Sequence, residues 1–472
     1  MAHLGLVGIG VMGSAFAQNL AENGHNVSLL DQSIEQPQKV AQAGAAQGLK
    51  GNLLPFDSAE AFVASLPKPR SILVLVPSGG PLDAVIDTLS PLLSTGDLIA
   101  DLGNSYYHET ERRVAELEAK GLQFLGMGIS GGAEGARHGP SIMAGGSAAS
   151  WAQVKTPLQD AAAKFGETPC CDWFGPGGSG HFIKMLHNGI EYADMQQIAE
   201  SYGFMRDGLG LAAPEIAEVF KGWMAGPLNS YLIEIAGEVA AASDPKGGGA
   251  MLDMILDKAG QKGTGRWSVI EALHLGSPAS MMQAAVEARN ISADLDGRKE
   301  MEAIFGAAPK PIPGDTAQML AQLEQAMIAA KVCVYVQGFE VLEKASTAFE
   351  WSLDLAAIAR VWRAGCIIRS VFLDEIAATF DTGSSTNLSL APVFRDRLIE
   401  NTPAVRLLVG TAIAHGQPVP ALFAALGFFD MRRTGRSTAN MIQGLRDYFG
   451  AHGLERLDAP GQKVNGPWHE KN

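Results

Sequence analysis

The sequence has little of what marks several protein classes. It contains four cysteines in 472 residues, namely Cys170, Cys171, Cys333 and Cys366, and their spacing matches no CxxC or other metal-ligand pattern. This spacing predicts neither a disulfide framework nor a cysteine-based metal site. The simplest interpretation is that the four cysteines are reduced thiols of a cytoplasmic protein. No run of about 18 apolar residues, the length that a membrane span needs, is present. We therefore expect a cytoplasmic protein that does not insert into a membrane.

Positive charge is also scarce. The chain carries 36 Lys and Arg against 50 Asp and Glu, which gives a formal net charge of −14. Such an excess of negative charge disfavours general binding to nucleic acid, because the phosphate backbone is bound mainly by basic surfaces. A small phosphorylated substrate could still bind if a few basic side chains cluster in one pocket.

The order of apolar runs predicts an α/β domain at the start of the chain. The length exceeds the roughly 250 to 300 residues at which a single core usually stops growing, so at least two domains are expected. Short apolar runs alternate with helical patterns in the order of βαβ units, which predicts a doubly wound parallel sheet. The candidate strands are residues 4–9, 27–31, 72–76, 98–101 and 123–126. We assign residues 1–178 to a dinucleotide-binding, Rossmann-like domain.

Two further regions follow the first domain. Residues 175–180 form the densest cluster of glycine and proline and mark a boundary. Residues 179–433 are rich in Ala, Leu, Met, Glu and Gln with apolar spacings of three and four, which predicts a large all-helical domain. Residues 434–472 contain several glycines and prolines and little periodicity, so we interpret them as a tail that needs a packing partner.

A glycine-rich turn follows the first strand. The segment Gly8-Ile9-Gly10-Val11-Met12-Gly13 is a GxGxxG motif in its required strand-turn-helix setting. Gly8 permits the tight turn, Gly10 lets the backbone approach a pyrophosphate, and Gly13 allows the helix to pack closely on the strand. The helix N-terminus then faces the anion. These features predict a nicotinamide dinucleotide site.

Asp31, at the end of the second strand, indicates which dinucleotide is preferred. Its carboxylate can accept hydrogen bonds from the adenosine ribose, but it would repel the 2′-phosphate of NADP by roughly 4 kcal/mol at about 4 Å. Gln32 and Ser33 follow it and supply no compensating charge. We therefore expect NAD to be preferred. NADP would be accepted if Asp31 turned away, or if Lys39 or Arg70 reached the phosphate.

Four polar residues after the boundary share one face of a predicted helix. Lys184, His187, Asn188 and Glu191 are spaced i, i+3, i+4 and i+7. Oxidation of a hydroxyl needs a base, and an enol left by loss of carbon dioxide needs an acid. Lys184 with a lowered pKa and Glu191 with a raised pKa would supply both, and the Lys184 ammonium would stabilise the enolate without a metal. The alternative is an ordinary solvated polar helix face.

The segment KMLHNGIEYADMQ (residues 184–196) closely resembles the signature helix of the 6-phosphogluconate dehydrogenases. Further similar segments occur in order along nearly the whole chain, at residues 101–105, 130–137, 261–267, 365–370 and 446–452. The resemblance implies that 6-phosphogluconate is oxidised at its 3-hydroxyl, loses carbon dioxide and becomes ribulose 5-phosphate, as in the pentose phosphate pathway. It also implies the large helical domain and a homodimer.

The resemblance assigns roles to matching positions. Lys184 would be the base and Glu191 the acid. The sugar-acid carboxylate and hydroxyls would be held by Asn104, Ser130, Gly131, Gly132, His187 and Asn188. The phosphate would be bound by Tyr192, Lys262, Arg289 and Arg446, with His452 nearby, and in the family the last two come from the partner subunit's tail. The cofactor would contact Val76 and Asn104 besides the residues of the glycine-rich turn, Asp31, Gln32 and Ser33.

Departures from the family pattern concern the cofactor more than the catalytic pair. Where the family commonly has Asn-Arg-Thr, this chain has Asp31-Gln32-Ser33, which removes the arginine expected at a 2′-phosphate. Ala133, Arg266 and the Pro77-Ser78 pair also differ from common family residues. One rival hypothesis is a related β-hydroxyacid dehydrogenase for an unphosphorylated acid, although such enzymes are shorter and lack the basic set. Another is a catalytically idle dinucleotide-binding dimer, which a turnover assay would expose.

Overall fold

An eight-stranded sheet organises the first part of the chain. The computed structural model describes residues 1–383 and 387–468. Its strands, in the spatial order β10-β7-β6-β5-β4-β1-β2-β3, are β1 His3–Val7, β2 Asn26–Leu30, β3 Leu53–Pro55, β4 Ser71–Val74, β5 Leu98–Asp101, β6 Gln123–Ser130, β7 Ser141–Gly146 and β10 Cys171–Trp173. A separate two-stranded pair consists of β8 Lys164–Phe165 and β9 Thr168–Pro169.

Helices cover both faces of this sheet. They are α1 Val11–Glu22, α2 Glu35–Gln47, α3 Ala59–Ala64, α4 Gly80–Leu89, α5 Tyr107–Glu118, α6 Gly132–His138 and α7 Ala148–Ala161. One apolar core contains Phe16 and Leu20 of α1, and the other contains Phe62 of α3 and Leu82 of α4. The sheet therefore lies between two layers of helices, and the expected Rossmann-like α/β fold is confirmed.

The sheet is mostly parallel, as predicted, but it contains one antiparallel pair that the prediction did not include. The five pairs from β3 through β2, β1, β4 and β5 to β6 are parallel, but β7 runs antiparallel to β6. The connection between them, α6 with short loops, is too short for a right-handed parallel crossover. The strand order reverses between β1 and β4, and in such folds the ligand crevice lies at the carboxyl ends of those strands.

Residues beyond Gly178 form helices as predicted. These helices are α8 Ser179–Gly203, α9 Ala213–Trp223, α10 Tyr231–Ala241, α11 Thr264–His274, α12 Ser280–Ala293, α13 Leu295–Phe305, α14 Thr316–Ala348, α15 Leu355–Val361, α16 Phe372–Asp381, α17 Pro392–Ala414 and α18 Pro420–Arg433. In the described part of the chain, α14 alone is long and apolar enough to cross a membrane, and 67% of its apolar window is buried inside the protein. Such burial is typical of the central helix of a core.

Helix α8 packs between the sheet and other helices, and this position buries its polar residues. It contacts β6 and β7 on one side and α11, α12 and α14 on the other. Glycines make the sheet side possible, since a Cβ on Gly128 would lie 2.1 Å from the Lys184 Cβ. A Cβ on Gly145 would lie 2.3 Å from the backbone nitrogen of Gly180. The close approach holds the start of α8 directly against the strands.

The chain divides into two compact units, Met1–Ala425 and a second that begins at Leu426. The second unit contains α19 Ala439–Gly450 and a hairpin of β11 Leu454–Arg456 and β12 Ala459–Val464. Regular structure therefore continues after residue 434, although the sequence there has little periodicity. Asp447 organises this unit, because its carboxylate accepts from the backbone N–H of Gly453 and Gly466 and from the Trp468 indole at 2.7–2.8 Å.

Candidate active site

The glycine-rich turn has the backbone geometry that a dinucleotide needs. Gly8 has φ +92°, and a Cβ there would lie 2.4 Å from the carbonyl oxygen of Leu75. A Cβ on Gly13 would lie 1.9 Å from the carbonyl oxygen of Gly8, whereas one on Gly10 would meet no atom within 4 Å. Gly10 therefore borders open space at the N-terminus of α1, whose first turn contains Val11 and Met12. The free amide groups there fit a pyrophosphate.

Asp31 braces the glycine-rich turn. Pairing of Val7 with Leu30 places it beside the turn, where one carboxylate oxygen accepts from the Ile9 N–H at 2.5 Å and the other from the Gln32 N–H at 2.7 Å. The side chain therefore does not turn away from the site. Each carboxylate oxygen has a further lone pair that a ribose hydroxyl could use.

A cleft of about 700 Å³ extends from this turn between β1 and β4. Gly8, Gly10, Asp31, Gln32 and Val76 line it, as does Asp57, which sequence reasoning missed. No Lys or Arg is among the described lining residues. Arg70 does not line the cleft. Its guanidinium bonds instead to Asp97 at 2.8 Å and to the Val63 carbonyl at 2.9 Å. Ser33 and Lys39 are exposed and outside the cleft lining.

The polar face of α8 forms a connected cluster. Lys184 Nζ lies 3.4 Å from His187 Nδ1, which is 3.0 Å from Asn188 Oδ1 and 3.8 Å from Glu191 Oε2. The other imidazole nitrogen lies 3.3 Å from the Ser130 hydroxyl. The Asn188 contact favours a proton on Nδ1, which leaves Nε2 to accept from Ser130. His187 thus links the two proposed proton-transfer groups.

Burial shifts these groups toward their neutral forms. Lys184 is 5% exposed, and burial lowers its pKa against the opposing pull of Glu191. Burial raises the pKa of Glu191, and the nearby Lys184 and Arg289 only partly offset this. Burial and the Lys184 charge lower the pKa of His187 well below its usual range. A neutral amine and a protonated carboxyl on one face are the forms that base and acid catalysis need.

Asn104 and residues 130–132 approach this cluster from the sheet. Asp101, buried at the end of β5, accepts from the Gly103 N–H at 2.8 Å and the Ser105 hydroxyl at 2.5 Å. These bonds shape the loop that presents Asn104 at the pocket surface. Gly131 has φ +108°, and a Cβ there would lie 2.6 Å from the Gly365 carbonyl oxygen. Gly132, at φ +64°, has no atom within 4 Å of its Cβ position.

A pocket of about 570 Å³ opens beside the cluster and contains the predicted basic residues. It is lined by Asn104, Asn188, Glu191, Tyr192, Lys262, Thr264 and Arg289 among others. The Arg289 guanidinium lies 3.5 Å from the centre of the Tyr192 ring and bonds to the Gly260 carbonyl at 3.2 Å. Lys262 is exposed on the loop before α11. Two cationic groups therefore face one end of the pocket, which suits a phosphate.

The remaining predicted residues lie in the second unit. Arg446 is exposed on α19 and donates to Gln443 at 3.3 Å. His452 is exposed and follows Ala451, which has φ 47°. Exposed apolar side chains on the same helix include Met441, Leu445 and Phe449.

Several contributing residues were missed from the sequence. Thr264 accepts a hydrogen bond from the Asn188 amide at 3.1 Å. Gly265 lies so close to Tyr192 that a Cβ would be 2.3 Å from its ring. Gly128 makes room for Lys184. A glycine inside a strand pattern signals a close approach, so Gly128 could have been noticed, whereas Thr264 carried no such signal.

Two family models match the chain. The first, described as the NAD binding domain of 6-phosphogluconate dehydrogenase, matches residues 3–175, and the second, the C-terminal domain of 6-phosphogluconate dehydrogenase, matches residues 180–468. A decarboxylating 6-phosphogluconate dehydrogenase of Synechococcus elongatus is 44% identical, with 98% of each chain covered. An NAD(+)-dependent decarboxylating one of Bacillus subtilis is also 44% identical, with 97% of each chain covered.

A solved structure is similar over the whole length. The Plasmodium falciparum 6-phosphogluconate dehydrogenase, described in its apo form and in complexes with NADP+ and with 6-phosphogluconate, superimposes with a TM-score of 0.94 at 36% identity. The match covers 99% of this chain and 100% of that one.

Proposed function

Since the chain belongs to the 6-phosphogluconate dehydrogenase family, we propose that it converts 6-phosphogluconate to ribulose 5-phosphate and carbon dioxide, with NAD as preferred acceptor. The chain is an oxidoreductase of the decarboxylating type. The observation that carries the proposal is the shared face of α8, where burial shifts Lys184 and Glu191 toward opposite protonation states from those they have in water. This face borders a pocket with two cationic side chains at one end.

Neutral Lys184 accepts the proton of the substrate 3-hydroxyl. A dinucleotide held by the Gly8–Gly13 turn and Asp31 would supply the hydride acceptor for the same carbon, which becomes a ketone. The bond between the carboxylate carbon and the neighbouring carbon then breaks, and carbon dioxide leaves. The electron pair of that bond stays with the neighbouring carbon and forms an enolate. The enolate oxygen receives a proton from the Lys184 ammonium. The Ser130 hydroxyl, His187 and Asn188 form a connected set beside Lys184 that orients the carboxylate and hydroxyls.

Glu191 completes the reaction by protonating carbon. The enol that remains after decarboxylation must gain a proton on the carbon that lost its carboxylate. A carboxyl group whose pKa is raised by burial retains that proton at a pH where an ordinary glutamate has lost it. The Lys184 amine takes back the enol proton, so the turnover ends with Lys184 protonated and Glu191 ionised. Transfer of one proton from Lys184 to Glu191 then restores both starting forms. No metal ion is required in this scheme.

The substrate phosphate binds at the cationic end of the pocket. Lys262 supplies a point charge and Arg289, held over the Tyr192 ring, supplies a planar fork. We propose that the partner subunit of a homodimer adds Arg446 and His452 from its tail. Supporting this, the second unit exposes a row of apolar side chains on α19 that a partner surface would cover.

The preference for NAD rests on the charge of the cofactor cleft. Asp31 and Asp57 line it, and none of its described lining residues is basic. A 2′-phosphate beside Asp31 would meet uncompensated repulsion of roughly 4 kcal/mol at about 4 Å, less where solvent screens it. The Gly8–Gly13 turn, Asp31, Gln32 and Val76 would hold the dinucleotide, with Asn104 at its nicotinamide end.

Initial rates with 6-phosphogluconate test the activity and the preference together. NAD and NADP are varied separately in the wild type and in the double variant Asp31→Asn/Gln32→Arg. We expect a larger kcat/KM for NAD in the wild type and a reversed preference in the double variant, because repulsion is replaced by an arginine. Gln32→Arg alone is the matched control and should shift the ratio less, since Asp31 would then pair with the new arginine.

A wild-type preference for NADP would contradict the charge argument. Turnover with neither cofactor would contradict the activity itself.

We also propose the biological setting and the domain division. The reaction belongs to the pentose phosphate pathway in the cytoplasm, which suits four cysteines that are all free and buried. We divide the chain into residues 1–178, 179–433 and 434–472. The first boundary is supported by the family models, whose matches are separated between residues 175 and 180, and a separate last part is supported by the compact unit that begins at Leu426.

A further inference from the structure

A buried hydrogen-bonded bridge joins the loop that carries Asn104 to the helix that follows Lys262. Tyr107 donates its hydroxyl to Glu271 Oε2 at 2.8 Å, and Tyr106 donates to Glu271 Oε1. Tyr106 also stacks on Trp267, with ring centroids 5.0 Å apart. We call these four residues the Glu271 bridge. Its two ends belong to the start of α5 and to α11.

The bridge is built around a carboxylate with almost no access to solvent. Glu271 is 1% exposed, so its charge must be satisfied by protein donors. Burial and Glu271 itself raise the pKa of both tyrosines above their ordinary value, which keeps both hydroxyls as donors. His108 and His274 lie 3.6 Å from Oε1 as further partners with exposed side chains. The hydrogen bonds from the two tyrosine hydroxyls to the Glu271 carboxylate are charge-assisted, and such bonds are stronger than those between neutral groups.

Both ends of the bridge are continuous with walls of the substrate pocket. Asn104 lies two residues before Tyr106. On the other side, Lys262 lies two residues before the start of α11. Thr264 of this helix accepts from the Asn188 amide, and its Ser268 donates to the Met185 carbonyl at 2.7 Å. Helix α11 is thus fixed to α8 along one face and to the Asn104 loop through Glu271. No other hydrogen bond between described residues links these two walls so directly.

We propose that Glu271 is a positioning residue that sets the separation between the Asn104 loop and the Lys262 loop. This inference rests on the proposed function, in which the Asn104 loop holds the carboxylate end of 6-phosphogluconate and Lys262 holds the phosphate end. A substrate of fixed length binds both ends only if the two loops are held at a fixed separation. Glu271 itself is buried and lines neither the cofactor cleft nor the substrate pocket.

The test compares Glu271→Gln with Asp97→Asn, a matched control. Asp97 is also 1% exposed, and it accepts from the backbone N–H of Arg70 and Ser94 and from the Arg70 guanidinium. It lines neither pocket. Both variants lose a buried charge, so both should be less stable. Only Glu271→Gln should raise the KM for 6-phosphogluconate, by about tenfold or more, with kcat and the KM for NAD nearly unchanged.

A double-mutant cycle with Tyr107→Phe adds a second criterion. If the bridge acts as a unit, the KM effects of Glu271→Gln and Tyr107→Phe are not additive, and the double variant is little worse than Glu271→Gln alone. The inference would be overturned if the wild type turns over 6-phosphogluconate and Glu271→Gln has the same KM for it as the wild type, whatever the effect on stability.

Hydrogen–deuterium exchange without substrate supplies a readout that needs no turnover. Exchange in residues 258–266 and 103–106 should be faster in Glu271→Gln than in the wild type, and unchanged in Asp97→Asn. If the wild type fails to turn over 6-phosphogluconate, the proposed function falls, and exchange alone decides whether the bridge orders the two loops. Unchanged exchange would then overturn the bridge as well.

Discussion

The glycine-rich turn of the cofactor cleft depends on the backbone of one short segment, whereas the substrate pocket depends on side chains from distant segments. In the cleft, Gly8, Gly10 and Gly13 are needed because they have no Cβ atom. Asp31 accepts a hydrogen bond from the Ile9 N–H of the same turn. In the pocket, Asn104, Glu191, Lys262 and Arg289 come from four separate segments. One region can therefore be damaged without the other, and this independence can be tested.

The largest expected effect is the loss of catalysis in a variant that still binds NAD. Lys184→Met should lower kcat by about three to four orders of magnitude, because the base is removed. The dissociation constant for NAD, measured by fluorescence titration, should change little.

Lys184→Arg is the informative control, since arginine keeps the charge but does not lose its proton at working pH. Substantial activity in Lys184→Arg would show that charge, not proton transfer, is what position 184 supplies.

A smaller effect is expected at the second proton-transfer group. Glu191→Gln should lower kcat by about two orders of magnitude. The wild-type rate should fall at low pH, as Lys184 gains a proton, and at high pH, as Glu191 loses one. The lowered pKa of Lys184 shifts the low-pH limb to lower pH, and the raised pKa of Glu191 shifts the high-pH limb to higher pH, so both shifts increase the fraction of enzyme with a neutral Lys184 and a protonated Glu191.

The profile of kcat against pH distinguishes the roles. Glu191→Gln should lose the high-pH limb and keep the low-pH limb. Retention of both limbs in that variant would assign the acid to another residue.

The smallest effect concerns two glycines of one turn. Gly10→Ala should weaken NAD binding by about tenfold, because the new methyl group stands where the pyrophosphate approaches, while the melting temperature stays close to that of the wild type. Gly13→Ala should weaken binding and also lower the melting temperature, since its Cβ would lie 1.9 Å from the Gly8 carbonyl oxygen. Equal losses of stability in the two variants would contradict this difference.

The same contrast explains how much could be predicted from the sequence. The glycine-rich turn, Asp31 and the polar face of α8 are local patterns, and the structure places each in the predicted setting. Residues that meet only through tertiary packing could not be found in this way, as with Thr264 beside Asn188 and the two tyrosines on Glu271. The antiparallel β7 was missed because a short connection leaves no periodic signal.

Helix α19 illustrates a different limit. Met441, Leu445 and Tyr448 do have helical spacing, but the helix is only 12 residues long and has a glycine near each end, Gly435 and Gly453. Its apolar side chains remain exposed within the second unit, so they form no core there that would explain their helical spacing. An amphipathic helix is hard to recognise when the chain itself does not bury its apolar face.

The central claim is that one helix face of this chain carries out both the oxidation and the decarboxylation. The most direct test uses 6-phosphogluconate labelled at its carboxyl carbon, with NAD and a metal chelator present, and measures NADH and labelled carbon dioxide together. The account predicts equal amounts of both from the wild type and almost none of either from Lys184→Met. NADH without carbon dioxide, or no turnover with either NAD or NADP, would contradict it.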